Sequence, residues 1–391
     1  MHPVEPRQRG LDGGLGGFLL GAAGMFATLY STQAILPDLG RAFDVSASLA
    51  GLTISVVILA LAVGSWLWGP FSDWYGRRRS ILLASALLVL PTIAVALAPS
   101  FPLLLVGRAL QGLCMPGLLT VGPPYVFETF SARGGGRAVG FYLMALVAGG
   151  LVGRVGVALL TAVAGWRVGL GVLAVLPFAA AVVMARSLPE GPSPLRSSRS
   201  LEGAQRQLRN PRLIAPTATG CALYFGFVSI FSFAAYRLQA DPFDWGTAAT
   251  GLVYLVWVYG ALGPPIGNVI DRTGWRPVAL ASLAVSILAL TASLPAILPL
   301  FIASLGLFAA ASFAGFAAAQ VGVGDATPTD RGAATAVYFS AYYACGAVAG
   351  YLPGLLWESA GWTGTALLAL GVLGASVAAV LATSRARDRA G

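Results

Sequence analysis

One pattern of glycine, aspartate and arginine occurs twice in this chain, once in each half. Residues 69–79 read Gly-Pro-Phe-Ser-Asp-Trp-Tyr-Gly-Arg-Arg-Arg, and residues 267–276 read Gly-Asn-Val-Ile-Asp-Arg-Thr-Gly-Trp-Arg. Glycine, aspartate and glycine therefore recur at the same spacing. An Ala-Gly-Trp triplet at 164–166 is matched in the same way at 360–362. The chain is predicted to be an internal duplication, which restricts it to folds built from two equivalent halves.

The composition is that of a membrane protein. Of the 391 residues, 57% are hydrophobic and 10% are charged, whereas a soluble domain carries about 25% charged residues. Apolar stretches of about 20 residues divide each half into six, because that length spans a bilayer as a helix. We therefore expect an all-α membrane protein with twelve transmembrane helices in two pseudo-symmetric six-helix bundles. The expected spans begin near Gly14, Ser48, Ser80, Pro102, Ala138, Val168, Leu213, Thr247, Val278, Leu300, Ala333 and Thr363.

The distribution of arginine predicts the orientation. All 24 basic residues are arginine, and most of them fall in loops on one side of the expected spans. Basic residues in short loops stay in the cytoplasm, so both termini are expected to be cytoplasmic. The expected domains are an N-terminal bundle at 1–187, a cytoplasmic linker at 188–212 and a C-terminal bundle at 213–391. Within the linker, residues 200–208 could form a short amphipathic helix on the anionic inner leaflet, but the interpretation we favour is a solvated tether.

Several classes of protein are disfavoured by what the chain lacks. The one histidine is His2, and Cys114, Cys221 and Cys345 lie inside apolar runs without metal-ligand or disulfide spacing. We expect no enzyme activity, no metal site and no cofactor. The net charge of +9 reflects topology, so no nucleic-acid partner is expected. A pump driven by ATP is excluded because no phosphate-binding G-x-x-x-x-G-K-[ST] loop is present.

The Asp73-x-x-Gly76 turn has a physical interpretation of its own. Gly76 permits a tight reversal between two helices, and Asp73 can accept hydrogen bonds from a nearby helix amino terminus. Such a carboxylate can latch two helices together and release them. A plain hairpin held in the cytoplasm by arginines would not require the aspartate and glycine to recur in the second half.

These residues resemble a signature of the major facilitator superfamily. The 69–79 pattern is similar to that family's motif between helices two and three, and 267–276 to its copy between helices eight and nine. Arg108, Gln111 and Gly112 resemble its R-x-x-Q-G motif in helix four. The resemblance covers nearly the whole chain and implies the two-bundle transporter fold. It also implies a gating set: Gly69, Asp73, Gly76, Arg77, Gln111, Gly112, Glu128, Gly267, Asp271, Arg272 and Gly274.

A closer resemblance concerns the fifth span. Residues 149–154, Gly-Gly-Leu-Val-Gly-Arg, and the following 165–167, Gly-Trp-Arg, are similar to the drug-exporter branch associated with acriflavine sensitivity. Drug/proton antiporters of the superfamily usually carry a Gly-Pro pair in helix five, and this span has no proline. The resemblance therefore supports the fold more strongly than it supports a proton antiport mechanism.

Two arginines lie well inside the expected spans. An arginine near the bilayer centre costs roughly 2.5–3.5 kcal/mol, so Arg108 and Arg154 are expected to be paired or to face a cavity. Arg108 lies near the end of its helix and could instead cap backbone carbonyls. No Asp or Glu falls in the middle of a span, so no buried proton carrier is visible. Arginines without interior acids predict a cavity of positive potential that favours an anionic substrate.

Aromatic and polar residues of five spans supply a candidate cavity lining. Each of them could equally pack in the core or anchor an interface. With Arg108 and Arg154, the candidate substrate-binding residues are Tyr30, Gln33, Tyr224, Tyr254, Trp257, Gln320, Tyr342 and Tyr343.

The expected function is secondary transport. The leading hypothesis is a monomeric transporter of the cell inner membrane that exports a small amphipathic or anionic molecule by alternating access, in antiport with protons. Its partners would be that molecule, protons and the lipid bilayer. One alternative is an uptake carrier or exchanger for an organic anion, and another is a membrane sensor that does not transport. Export is favoured by the resemblance alone.

Overall fold

A computed structural model describes residues 6–130, 135–190, 201–327 and 330–388, and these residues are almost entirely helical. Arg133, which belongs to the expected cytoplasmic set, lies outside the described residues, as does His2. Ten described stretches are long and apolar enough to cross a membrane, and one of them, Arg331–Thr383, is long enough for two crossings. A shorter apolar helix, Thr247–Tyr259, lies where the eighth span is expected. These spans confirm the predicted all-α membrane fold.

The first half of the chain runs to residue 187. Its helices are α1 (Pro6–Leu29), a 3₁₀ turn (Gln33–Ile35), α2 (Leu36–Phe43), α3 (Ala47–Tyr75), α4 (Arg77–Leu97), α5 (Phe101–Cys114), α6 (Pro116–Leu119), α7 (Gly122–Thr129), α8 (Gly135–Leu151), a π-helical turn (Val152–Gly156), α9 (Val157–Ala164), α10 (Trp166–Val172) and α11 (Val175–Ser187).

The linker and second half follow. Their helices are α12 (Leu201–Leu208), a 3₁₀ turn (Pro211–Leu213), α13 (Ile214–Gln239), α14 (Thr247–Leu252), a 3₁₀ stretch (Val253–Leu262), α15 (Gly263–Thr273), α16 (Trp275–Ala292), α17 (Leu298–Ala326) and α18 (Arg331–Asp388). The backbone leaves helical geometry inside α18 at Gly361, which separates the two expected last spans. Because α12 is helical, this part of the linker is not an unstructured tether.

The described residues divide into two compact units. Unit 1 comprises Met1–Phe43, Val56–Ser197 and Gly246–Tyr254, and unit 2 comprises Asp44–Ser55, Ser198–Trp245 and Leu255–Gly391. In unit 1, α1 packs against α8 and α11, and in unit 2, α13 packs along α18.

The duplication is visible in the backbone. Six described residues have positive φ, and they form three pairs at equivalent places in the two halves: Asp44 with Asp244, Gly76 with Gly274, and Gly165 with Gly361. Gly76 has φ 93° and Gly274 has φ 83°, a region that glycine enters without steric cost. The glycine in each signature therefore reverses the chain between two helices, as predicted.

Aromatic contacts repeat in the same way. In unit 1 the ring of Phe43 lies 5.9 Å from that of Phe101 and 5.3 Å from that of Trp166. In unit 2 the ring of Phe301 lies 6.0 Å from that of Phe243 and 5.0 Å from that of Trp362. Equivalent aromatic positions thus form a triad in each half. The contact of Phe43 with Phe101 is matched by that of Phe243 with Phe301, but the ring that contacts the tryptophan differs.

Candidate functional site

The first span is not one continuous helix. It breaks between the end of α1 at Leu29 and the 3₁₀ turn that begins at Gln33. Hydroxyl groups favour this break because they compete for helix carbonyls. Thr28 Oγ1 donates to Gly24 O at 2.8 Å, and Ser31 Oγ donates to Thr28 O at 2.9 Å.

Arg108 of α5 holds the broken end of α1. Its guanidinium is fully buried and donates to the carbonyl oxygens of Thr28 at 2.8 Å and Leu29 at 2.7 Å. It also donates to Gln111 Oε1 at 2.8 Å, and Gln111 Nε2 donates to Thr92 Oγ1 at 3.1 Å. The arginine and glutamine of the R-x-x-Q-G motif therefore fix the backbone of the first span. This geometry corresponds to the carbonyl-capping alternative for Arg108.

Gly112, the last residue of that motif, lies where two helices meet. A Cβ atom at this position would lie 2.3 Å from Val57 O in α3. Only glycine permits this approach of α5 to α3.

Arg154 lies in the π-helical turn between α8 and α9. Such turns are rare and are often found at functional sites. Its side chain is fully buried, and Nε donates to Gln33 Oε1 at 2.7 Å while Nη1 donates to Gly150 O at 2.8 Å. Gln33 belongs to the 3₁₀ turn that follows the break in the first span, so two local departures from α-helical geometry meet at this arginine.

Two tyrosine rings face the same guanidinium. The Cζ atom of Arg154 lies 4.2 Å from the ring centre of Tyr30 and 5.7 Å from that of Tyr254. Both distances are within the range of cation–π attraction. The Tyr254 hydroxyl donates to Gln33 O at 3.2 Å. The structure thus brings together four predicted binding residues, which we call the Arg154 cluster: Tyr30, Gln33, Arg154 and Tyr254.

The remaining predicted aromatic residues form a separate cluster in unit 2. Tyr224 of α13 stacks on Tyr342 of α18 with a centroid distance of 3.8 Å and an interplanar angle of 8°. Tyr343 meets the Tyr224 ring edge to face at 6.3 Å. Trp257 lies 4.7 Å from the ring of Phe227. We call this group the aromatic cluster. Its members are Tyr224, Phe227, Trp257, Phe313, Phe316, Tyr342 and Tyr343.

Sequence reasoning missed the phenylalanines that connect this cluster. Phe316 lies 6.3 Å from Tyr224 and 5.7 Å from Phe227, and Phe313 lies 5.6 Å from Phe227. Predicted Gln320 is exposed and lies on the same face of α17 as these two, because residues three, four and seven positions apart share a helix face. The helical spacing of Phe313, Phe316 and Gln320 is the sequence signal that could have identified the two phenylalanines.

The first signature is packed against its neighbours at one end of unit 1. Arg77, the first residue of α4, forms an ion pair with Glu128 of α7. Arg78 donates to Leu188 O at 2.7 Å and to Ala185 O at 3.3 Å, which places a cation at the carboxyl end of α11. Two residues of the expected gating set, Arg77 and Glu128, are therefore in contact.

Other signature residues make fewer contacts. Gly69 and Asp73 lie in α3 and are partly exposed, and no described residue is hydrogen-bonded to the Asp73 carboxylate. In the second copy, Asp271 and Arg272 are exposed at the end of α15, and nothing lies within 4 Å of a Cβ placed at Gly267 or Gly274. The latch role of the aspartates stays a prediction. Within the described residues, no group of three or more His, Cys, Asp or Glu side chains could hold a metal ion.

Comparisons with known proteins agree with this architecture. A family model described as Major Facilitator Superfamily matches residues 18–258 and 233–390. The MFS-type transporter YybF of Bacillus subtilis is 28% identical over 358 residues, which cover 89% of this chain and 88% of YybF. The inner membrane transport protein YnfM of Escherichia coli is 30% identical over 344 residues, which cover 87% and 82%.

The fold is also similar to that of a solved structure. A bacterial homolog of the human lysosomal transporter Spinster, in an inward-facing and occupied conformation, superimposes with a TM-score of 0.82 over 98% of both chains. Its sequence is 15% identical, so this similarity concerns the fold alone.

Proposed function

This chain belongs to the major facilitator superfamily, and on that premise we propose that it is a secondary active transporter that moves a small anionic or amphipathic molecule across the membrane by alternating access. The direction we propose is export, coupled to proton antiport. The E. coli relative is an inner membrane transport protein, and we place this chain in the inner membrane as a monomer with both termini cytoplasmic.

The observation that carries the proposed substrate class is the surroundings of Arg154. Its guanidinium contacts the dipoles of Gln33 and Gly150 and the ring faces of Tyr30 and Tyr254. A carboxylate that replaces the amide oxygen of Gln33 would gain a charge-assisted, bidentate interaction. Binding of an anion is therefore favoured over binding of a neutral or cationic molecule.

We propose that the aromatic cluster of unit 2 is by itself a binding surface for aromatic groups. Stacked rings present large, rigid apolar faces at low entropic cost. The Tyr224 and Tyr342 hydroxyls add a polar edge, and exposed Gln320 adds an amide on the Phe313 and Phe316 face. This combination suits an amphipathic molecule that carries a ring.

The gate is the first signature and its copy. We propose that the ion pair between Arg77 and Glu128 stabilises one state, while Asp73 and Asp271 latch and release helix ends in turn. Arg108 acts on the substrate through the first span, because its carbonyl contacts set the positions of Tyr30 and Gln33.

The alternative is an uptake carrier or exchanger for an organic anion. The Arg154 cluster suits that function equally well, because the chemistry that binds an anion is the same in either direction. The absence of an acidic residue from the middle of every expected span favours this alternative over proton coupling.

A transport assay in proteoliposomes separates these possibilities. The purified chain is reconstituted with a pH-sensitive dye inside, a pH gradient is imposed, and aromatic carboxylates, neutral sugars and cationic dyes are added in turn. We expect carboxylates to move and to drive proton movement, with protein-free liposomes as the control. Carboxylate transport without proton movement would contradict proton antiport. Transport of only sugars or cationic dyes would contradict the proposal that the substrate is an anion.

A further inference from the structure

The linker helix α12 is fastened to unit 2 along one side. Gln207 is buried, and its Nε2 donates to Oδ2 of Asp330, the residue before α18, at 3.5 Å. Gly203 lies one turn earlier on the same side and is buried as well. The opposite side of α12 is therefore turned away from the protein. Nothing in the transport mechanism proposed above uses this helix.

The turn between α12 and α13 is held by side-chain hydrogen bonds. Asn210 Nδ2 donates to Gln207 Oε1 at 2.9 Å, and Asn210 Oδ1 accepts from the backbone N–H of Arg212 at 3.0 Å. Leu213, the next residue, is 4% exposed and belongs to a hydrophobic cluster with Val323 of α17 and Tyr338 of α18. The path of the chain from α12 into α13 is therefore fixed by contacts inside unit 2.

Three exposed arginines lie on this turn and on the free side of α12. Arg206, Arg209 and Arg212 follow one another at intervals of three residues. None of them forms an ion pair with another described residue. Residues 196–212 carry five arginines and one glutamate. Such a density of basic charge beside a transmembrane helix is typical of segments that bind anionic lipids.

Two apolar side chains are exposed among these arginines. Leu208 is 71% exposed, and Ile214 is 52% exposed. Ile214 lies near the beginning of the span Pro211–Gln239, so these residues lie where the span enters the membrane. A soluble anion would pair with the arginines and leave both apolar side chains in water. A phospholipid offers a phosphate to the arginines and acyl chains to the apolar side chains.

We propose that this surface binds anionic phospholipids. We call it the arginine corner, and its members are Arg206, Leu208, Arg209, Arg212 and Ile214. The guanidinium groups contact headgroup phosphates, which arginine recognises through paired hydrogen bonds. Leu208 and Ile214 contact the acyl chains next to those headgroups. The inference rests on the proposed function in one respect, because it takes the arginine corner to lie at the cytoplasmic surface of an inner membrane.

A lipid bound here stabilises a structure that is already formed. Gln207 and Asn210 hold the turn through contacts within unit 2, so the arginines are in place before a lipid arrives. A ligand that binds the folded chain raises its stability. The attraction between exposed charges is screened by salt, so this stabilisation should weaken as the ionic strength rises.

The test follows thermal unfolding of the full-length chain, purified in an uncharged detergent, while phosphatidylglycerol or phosphatidylcholine is added. We expect phosphatidylglycerol to raise the unfolding temperature more than phosphatidylcholine does, and we expect added salt to reduce the difference. The variant that combines Arg206→Gln, Arg209→Gln and Arg212→Gln should lose the difference. Its unfolding temperature without lipid should match the wild type, which shows that it is folded.

The matched control removes the same charge elsewhere. Arg385→Gln, Arg387→Gln and Arg389→Gln, combined in one variant, should keep the response to phosphatidylglycerol. Equal loss in the two triple variants would overturn the proposal, because it would show a response to net charge alone. Equal effects of the two lipids on the wild type would also overturn it.

Two further measurements distinguish a lipid from a soluble anion. Glycerol 3-phosphate should not raise the unfolding temperature, and a rise equal to that with phosphatidylglycerol would overturn the proposal in favour of a soluble phosphate compound. Leu208→Gln should reduce the response to phosphatidylglycerol, and an unchanged response would contradict the acyl-chain contact. Because these measurements involve no transport, their failure would leave the proposed transport function standing.

Discussion

Two fully buried arginines of unit 1 have different surroundings, and this difference separates their roles. Arg108 donates to two backbone carbonyls at the break in the first span, whereas Arg154 contacts side chains that change partner more easily. The carbonyl of Leu29, at the broken end of α1, receives from Arg108 a hydrogen bond that lipid cannot supply. We therefore propose that Arg108 positions the first span and that Arg154 binds the substrate.

Arg108→Ala should lower stability strongly. It would leave the Leu29 carbonyl without this hydrogen bond, at a cost of about 1–3 kcal/mol for a buried acceptor left unpaired, whereas Thr28 O would keep the hydrogen bond from Ser31 Oγ. The unfolding temperature in detergent measures the effect. Arg167→Ala is the matched control, since Arg167 also donates to a carbonyl, Ala98 O at 3.1 Å, but is exposed. Equal unfolding temperatures for the two variants would contradict the positioning role.

At the scale of single residues, the sequence predicted which charges would be buried but not what they contact. Arg108 and Arg154 stood out because charges inside apolar spans are costly. Their partners depend on the break in the first span and on the π-helical turn. Both arise from local competition for hydrogen bonds that an apolar run of this length does not reveal.

Glycine faces determine how closely the helices pack. A Cβ on Gly149 or Gly153 would lie 2.1 or 2.2 Å from a carbonyl oxygen of α1. Gly149 of α8 and Gly153 of the π-helical turn therefore let these two elements pack directly on the α1 backbone. A Cβ on Gly156, three residues after Gly153, would have only Val152 Cγ1 nearby, at 4.0 Å.

Gly153→Ala should therefore destabilise unit 1, because the added methyl group would overlap Ala27 O. Overpacking of this kind costs about 1–3 kcal/mol. Gly140→Ala in the same helix has nothing within 4 Å of the new Cβ, and better helix propensity should stabilise it by up to about 1 kcal/mol. Unfolding temperatures that move in the same direction for both variants would contradict the packing role.

The sequence did not predict that two of the spans would be interrupted helices. The fourth span appears as α5, α6 and α7, and the eighth as α14, a 3₁₀ stretch and α15. Pro116 and Pro264 lie in these spans, where a missing N–H weakens the helix. The length of each apolar run predicted that a span exists there. Proline and glycine within the run determined where its helix is interrupted.

For the whole molecule, the duplication was the most reliable prediction. Two glycine pairs with positive φ and two aromatic triads confirm that the halves share geometry far beyond the signature motif. A repeat constrains the fold because both copies must satisfy the same packing rules. It does not constrain the substrate, because the Arg154 cluster lies in unit 1 and the aromatic cluster in unit 2.

Alternating access in secondary transporters follows from such repeats, because related bundles can move about a fixed site. The central claim is that this site binds an anion at Arg154. Removal of Arg154 should therefore abolish carriage of anions, while removal of an exposed arginine should not.

Counterflow of a radiolabelled aromatic carboxylate into proteoliposomes tests this claim most directly, with wild type, Arg154→Ala and Arg167→Ala compared at matched protein levels. We expect counterflow by the wild type and by Arg167→Ala and its loss in a folded Arg154→Ala. Counterflow by Arg154→Ala equal to the wild type, for every anion that the wild type carries, would contradict the claim.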